Sequence, residues 1–145
     1  MSVFSSMNIS ASGMTAQRLR TDIIAQNIAN VNTTRTEDGT PYVRRTVVFS
    51  EKGFSPFSNV YANAVGFSGT GVKVSSIIED TKTAMKKVYD PSHTDADEEG
   101  YVTYPNINSV TEMTNLIDAS RAYEANVTAF NATKAMALKG LEVGK

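Results

Sequence analysis

Hydrophobic positions fall into two stretches of helical spacing, one near each end of the chain, with an alternating middle between them. From about Phe4 to Val31, Ile9, Ala16, Leu19 and Ile23 recur at steps of seven, three and four, with Ile24, Ile28 and Val31 on an adjoining stripe. That spacing marks one face of an α-helix. No proline interrupts it, Ser5 or Ser6 can cap its start, and Gly13 weakens it by about 1 kcal/mol relative to alanine. Helical throughout, the stretch is about 40 Å long. The second stretch runs from Ser109 to about Leu141. Met113, Leu116, Ser120, Tyr123, Val127, Phe130, Lys134, Ala137 and Leu141 step alternately by three and four, and seven of the nine are apolar. This predicts a seam for helix pairing. Ser109 and Glu112 are spaced as a capping box behind Pro105. Lys134 and Lys139 suit the end of the helix dipole, and Gly140 and Gly144 offer stops.

The middle, residues 35–108, holds all four prolines and six of the nine glycines. Tyr42–Phe49 reads as a strand with Val43, Val47 and Phe49 on one face, and Val72–Ile78 as a second. Ala84–Tyr89 and Tyr101–Tyr104 are shorter candidates. Phe54–Thr70 is rich in Ser, Asn and Gly and reads as a flexible loop.

Each terminal stripe must be covered, and the economical solution is that the helices cover each other. The expected fold is therefore α+β: two long terminal helices paired as an antiparallel coiled coil, with a small β-rich insert. Residues 1–34 and 109–145 form a discontinuous helical assembly domain, and residues 35–108 a β-rich middle domain. The seam is expected to contain Ile9, Ala16, Leu19, Ile23 and Ile28 on one helix. On the other it is expected to contain Met113, Leu116, Tyr123, Val127, Phe130 and Leu141.

Charge sharpens this picture. The first helix carries only Arg18, Arg20 and Asp22, and the rest of its polar surface is neutral, as in Gln17, Gln26, Asn27, Asn30 and Asn32. A solvated helix usually carries more charge, so this surface suits burial against other protein. The formal net charge of −1 gives no basic footprint for nucleic acid or an anionic membrane. No run approaches the ~20 apolar residues of a membrane span, and the first ten residues lack the pattern of a cleaved leader. With no cysteine there is no disulfide framework and no thiolate metal site.

Candidate chemistry is sparse. His93, the sole histidine, lies in an Asp/Pro/Ser-rich turn without a second metal ligand or a nucleophile elbow. Asp95, Asp97, Glu99 and Gly100 fit the opening of a calcium loop, but its twelfth position is Asn106 rather than glutamate. Gly66–Gly71 has neither phosphate-loop nor dinucleotide-binding spacing. No cofactor or metal is expected, and no enzymatic activity.

The stretch Ala11–Thr34, with Asn27-Ile-Ala-Asn-Val-Asn-Thr33 at its centre, resembles the shared N-terminal motif of bacterial flagellar axial proteins. Gly39–Phe49 is similar to the segment after the first helix in proximal rod proteins of the FlgC type. Tyr89–Asn106 resembles that family's distinctive signature, followed by Glu112-Met113 and Ala119–Asn126. Thr94 stands where the family usually has proline. The resemblance implies a structural subunit of the basal-body rod, exported through the flagellar type III apparatus without a cleaved signal and polymerising helically in the periplasm. Implied partners are other proximal rod proteins, the distal rod protein, the adaptor to the membrane ring, and further copies of the chain. Candidates for contacts between subunits are Gln26, Asn27, Asn30, Asn32, Tyr89, Asp90, Pro91, His93 and Asn106. The free monomer is expected to be partly disordered at both ends. The competing readings are another axial protein, which leaves Tyr89–Asn106 unexplained, and an export chaperone or adaptor, which needs no β-rich insert. A cell-wall hydrolase would need an acid–base pair that the sequence does not offer.

Overall fold

A computed structural model describes residues 3–53 and 71–143. The described elements are, in order, helix α1 (Val3–Ala29), strands β1 (Arg45–Glu51), β2 (Val72–Glu79), β3 (Lys86–Tyr89) and β4 (Tyr101–Tyr104), and helix α2 (Ser109–Val143). The chain is thus α+β, with two long helices and two small sheets between them in sequence. The loop expected at Phe54–Thr70 lies outside the described residues.

Helix α1 ends two residues before Val31, within the amide-rich run that follows it. The Val31 N–H donates to Ile28 O at 3.3 Å, and the Asn30 side chain donates to Gln26 O at 2.9 Å. These bonds tighten the last turn and occupy carbonyls that a further turn would need. Helix α2 begins where expected, with a different cap. Asn108 Oδ1 accepts from the N–H groups of Val110 and Thr111 at 3.0 and 3.3 Å, so Asn108 is the N-cap. Glu112 does not close a capping box with Ser109, because its carboxylate is engaged elsewhere.

Strands β1 and β2 pair antiparallel from Arg45 opposite Glu79 to Glu51 opposite Val72, with a bulge between Val48 and Phe49. The bulge resets the alternation, so both Val47 and Val48 precede it and the burial of β1 does not follow a strict two-residue period. Strands β3 and β4 pair from Lys86 opposite Tyr104 to Tyr89 opposite Tyr101. Their connection closes at Gly100, whose φ of 82° suits glycine and whose missing side chain leaves room for the Tyr89 ring.

The two helices pack along each other, and α1 also carries β1 and β2. Helix α2 presents Glu112, Ala119 and Thr133 as buried positions, with half-buried Asn126 completing a line at intervals of seven residues. Helix α1 buries Ser10, Ala16, Ile23, Ile24 and Asn27. The helices approach closely at Gly13, where a Cβ would stand 2.7 Å from Asn126 Oδ1. A second close approach seats the sheet. Gly71, at φ 106°, lies against Ser12 and Ile9, and the neighbouring Val72 N–H donates to Ser12 Oγ at 3.1 Å.

Among the described residues the buried apolar set is small: Ala16, Ile23, Ile24, Val102 and Ala119. The accessible surface is 10,095 Å². A compact monomer of 15.7 kDa would expose about 7,300 Å².

Candidate assembly surfaces and the polar junction at their root

Where the end of α1, the start of β1 and the start of α2 meet, the interior is polar. Asn27 is fully buried. Its Nδ2 donates to Arg45 O at 2.8 Å and to Glu112 Oε2 at 3.0 Å. Its Oδ1 accepts from the Arg45 N–H at 3.0 Å and from the Tyr42 hydroxyl at 3.2 Å. Two donors and two acceptors exhaust the bonding capacity of the amide. One side chain thereby holds α2, the first residue of β1 and the segment before it.

Glu112 is 1% exposed and negatively charged, so its burial requires partners. Arg44 supplies them, donating from Nε at 3.0 Å and Nη2 at 2.8 Å to Oε1, with Asn115 adding a bond at 3.3 Å. Arg44 Nη1 also donates to Thr46 Oγ1 at 3.1 Å. Asn106 repeats the logic of Asn27 on the other side of Arg44. Its Oδ1 accepts from the Arg44 N–H at 2.9 Å, and its Nδ2 donates to Asp80 O at 2.7 Å and Thr83 O at 3.2 Å. Asp80 in turn receives the Thr83 hydroxyl at 2.7 Å and the N–H groups of Thr83 and Lys82, both at 3.1 Å. The Thr83 bonds, with Arg44 as a lesser influence, hold the Asp80 carboxyl below the usual carboxylate range. Burial pushes the Tyr42 phenol up, against the pull of Arg45.

Outside this junction the helix pair leaves several large apolar side chains exposed. On α2, Val110, Met113 and Ile117 are exposed large hydrophobic residues at helical spacing, and Met136, Leu138 and Leu141 are also exposed near its end. Val3 and Phe4 are exposed at the start of α1.

The residues expected in the helix seam divide accordingly. Ala16 and Ile23 are buried, and Ile9, Leu19, Ile28, Leu116, Val127 and Phe130 are half-buried. Met113, Tyr123 and Leu141 are exposed, at 53%, 39% and 70%. On α2 the buried line runs one residue before the expected one, through Glu112, Ala119, Asn126 and Thr133. Small side chains let the backbones approach, and the larger apolar ones are left outside. Of the polar contact candidates, Asn27 and Asn106 are bound inside the chain. Gln26, Asn32, Tyr89 and Pro91 are exposed, and Asn30, Asp90 and His93 are half-buried. Missed by sequence reasoning was the ion pair of half-buried Arg44 with buried Glu112. The signal was the length of the expected capping box, which drew Glu112 to the wrong partner.

The residues weighed for chemistry serve turns. His93 Nδ1 accepts from the Asp95 N–H at 3.1 Å, and its ring meets Tyr104 edge-on at 6.4 Å. Asp95 accepts from Thr34 Oγ1 at 2.8 Å and pairs with Arg35 at 3.9 Å. Asp97 caps the turn into β4 by accepting from the N–H groups of Glu99 and Tyr101. Ser92 donates to Asp90 and keeps that carboxyl below its usual range. Among the described residues no group of three or more His, Cys, Asp or Glu could hold a metal ion, and no helix is long and apolar enough to cross a membrane.

A polar junction holding two long helices that leave large apolar side chains exposed suits a chain that packs against other protein. A family profile described as flagella basal body rod protein matches residues 7–35, and one described as flagellar basal body rod FlgEFG protein C-terminal matches residues 98–143. These are the two helices and the signature entering the second. The chain is 47% identical to the flagellar basal-body rod protein FlgC of Bacillus subtilis (strain 168), over the full length of both. It is 44% identical to FlgC of Borreliella burgdorferi, over 99% of this chain and 98% of that one. To FlgC of Escherichia coli O157:H7 it is 38% identical over both full lengths. The chain belongs to the FlgC family of flagellar basal-body rod proteins, and its role is that of a structural rod subunit.

Proposed function

We propose that the chain polymerises helically in the proximal rod, forming with its neighbours the drive shaft and export channel between the membrane ring and the distal rod. Residues 1–34 and 109–145 act as the assembly domain, and residues 35–108 as a middle domain that engages neighbours further out. The helices pair as an antiparallel coiled coil. Supporting this, Asn27 near the end of α1 meets Glu112 near the start of α2, while Gly13, earlier in α1, meets Asn126, later in α2. The two contacts are equally far apart along each helix. Partners are the other proximal rod proteins, the distal rod protein, the membrane-ring adaptor and further copies of the chain. Delivery is by the flagellar type III apparatus, without a cleaved leader, to the periplasm.

The observation that carries this reading is the apolar surface left on the helix pair. Val110, Met113 and Ile117 on one face, and Val3, Phe4, Met136, Leu138 and Leu141 at the far end, are too many to leave wet without purpose. Heterologous contacts that do not close into a ring build a filament from such faces. Among the described residues the far end is held by no junction like that at Asn27, and it is the part that orders on docking.

The test replaces the resident gene with a Met113→Asp/Ile117→Asp variant in a motile strain. Both side chains are already exposed, so the purified variant should melt within a few degrees of the parent. Rods should nevertheless fail to form, because each aspartate would be buried unpaired against a neighbour. Normal rods and motility would overturn the assignment of this face to assembly.

A further inference from the structure

We propose that the buried Asn27–Glu112–Arg44 network, and not the apolar seam, sets the register of the helix pair. The buried line of α2 passes through Glu112, Ala119, Asn126 and Thr133, each seven residues from the next. Three of the four are small or short side chains. Sliding α2 along α1 by one heptad exchanges Ala119 for Asn126 and Asn126 for Thr133, so Gly13 on α1 still meets a short side chain. The seam therefore distinguishes poorly between registers one heptad apart. A single buried polar position is an attested device for breaking such degeneracy in paired helices.

Glu112 is that position. It is the only charged residue on the buried line, and it is matched on both oxygens: Oε2 to Asn27 on α1, Oε1 to Arg44 beside β1. A heptad slip in either direction brings Ala119 or Pro105 to the place of Glu112. Neither accepts the Asn27 amide or the Arg44 guanidinium through a side chain, so both donors lose their partner. Asn27 is already fixed to Arg45 through the N–H and the carbonyl, which ties the network to β1 as well as to α1. Register of the helices and seating of the hairpin are thus set together.

The chain contains no cysteine, so an introduced pair reports register without background. Gly13→Cys/Asn126→Cys is the in-register pair. Gly13→Cys/Ala119→Cys and Gly13→Cys/Thr133→Cys, each with Asn126→Ala to give room at residue 13, are the pairs one heptad away. The full-length chain is oxidised at low concentration, and intramolecular disulfide is read on the monomer band by non-reducing gel and peptide mass spectrometry. In the parent the in-register pair should form at least about tenfold more disulfide than either other pair. In an Arg44→Met/Glu112→Leu background, which removes the ion pair but leaves Asn27 bound to Arg45, that preference should fall to about twofold while the helical circular-dichroism signal persists. Retention of the tenfold preference would overturn the proposal, because the seam alone would then hold register. Loss of the helical signal would overturn it too, because the network would then be needed for pairing itself.

Discussion

Replacing Asn27 by alanine should cost far more than the size of the side chain suggests. The deletion removes four hydrogen bonds at a site with no solvent exposure. The bond to the Glu112 carboxylate involves a charged partner and is worth about 1.5–3 kcal/mol, and the two to the Arg45 backbone about 0.5–1.5 kcal/mol each. Water entering the vacated space recovers part of this for Arg45 and Tyr42, which lie nearer the surface than Glu112. The expected loss is about 2–4 kcal/mol, a large share of the ~5–15 kcal/mol that holds a typical domain. Asn27→Asp should be worse than Asn27→Ala. An aspartate keeps acceptors for the Arg45 N–H and Tyr42, but it turns an oxygen toward Arg45 O and sets a second carboxylate against Glu112. Urea unfolding of the purified chains, followed by circular dichroism, gives both numbers. An alanine variant within 1 kcal/mol of the parent, or an aspartate variant milder than alanine, would refute the reasoning.

Three other outcomes follow from the same structure. Gly71→Ala should destabilise by about 1–3 kcal/mol, since φ of 106° is strained for any side chain and the new Cβ would collide with Ser12; hydrogen exchange should show β2 opening first, and unchanged protection there would count against the seating of the sheet on α1. The Asp80 carboxyl should titrate below its ordinary 3.8 in NMR and move toward it in Thr83→Val. A carboxyl depressed in the folded state contributes stability above its unfolded value and loses it as pH falls through its folded value, so this contribution should be intact at neutral pH and vanish only below about pH 4; a Thr83→Val variant with no shift would deny the hydrogen bond its role. Phe130→Asp should abolish rod assembly and also lower the stability of the isolated chain, unlike Met113→Asp/Ile117→Asp, because Phe130 is half-buried within the chain; equal effects of the two variants would contradict the division into inner and outer faces.

The helices were legible in the sequence because long apolar stripes without proline have few alternatives, and α1 and α2 begin within a residue or so of expectation. Strands were legible at β2 and β4, while β1 begins three residues later than its alternating pattern, since Tyr42 to Arg44 serve the junction instead. The inner face of α2 was harder to read. Hydropathy weights Met113, Tyr123 and Leu141 above Ala119 and Thr133, yet close approach of two helices favours small side chains, and the larger ones then face outward. The Ser109–Glu112 spacing was a real local signal that lost to a stronger distant one. Asn108 could cap the helix as well as Ser109, whereas only Glu112 could accept from Arg44 and Asn27 together. Asn27 drew notice through its motif, but a contact between residues 85 positions apart leaves no trace in local spacing.

The central claim is that the outer apolar faces of this helix pair exist to be covered by other rod subunits. A cryo-EM map of isolated basal bodies, resolved to side chains in the rod, tests it most directly. The account predicts Val110, Met113, Ile117, Met136, Leu138 and Leu141 packed against neighbouring subunits, with Asn27 and Glu112 still paired inside the chain. A map in which those six side chains face open solvent, or in which the Asn27–Glu112 contact is exchanged for one between subunits, would contradict it.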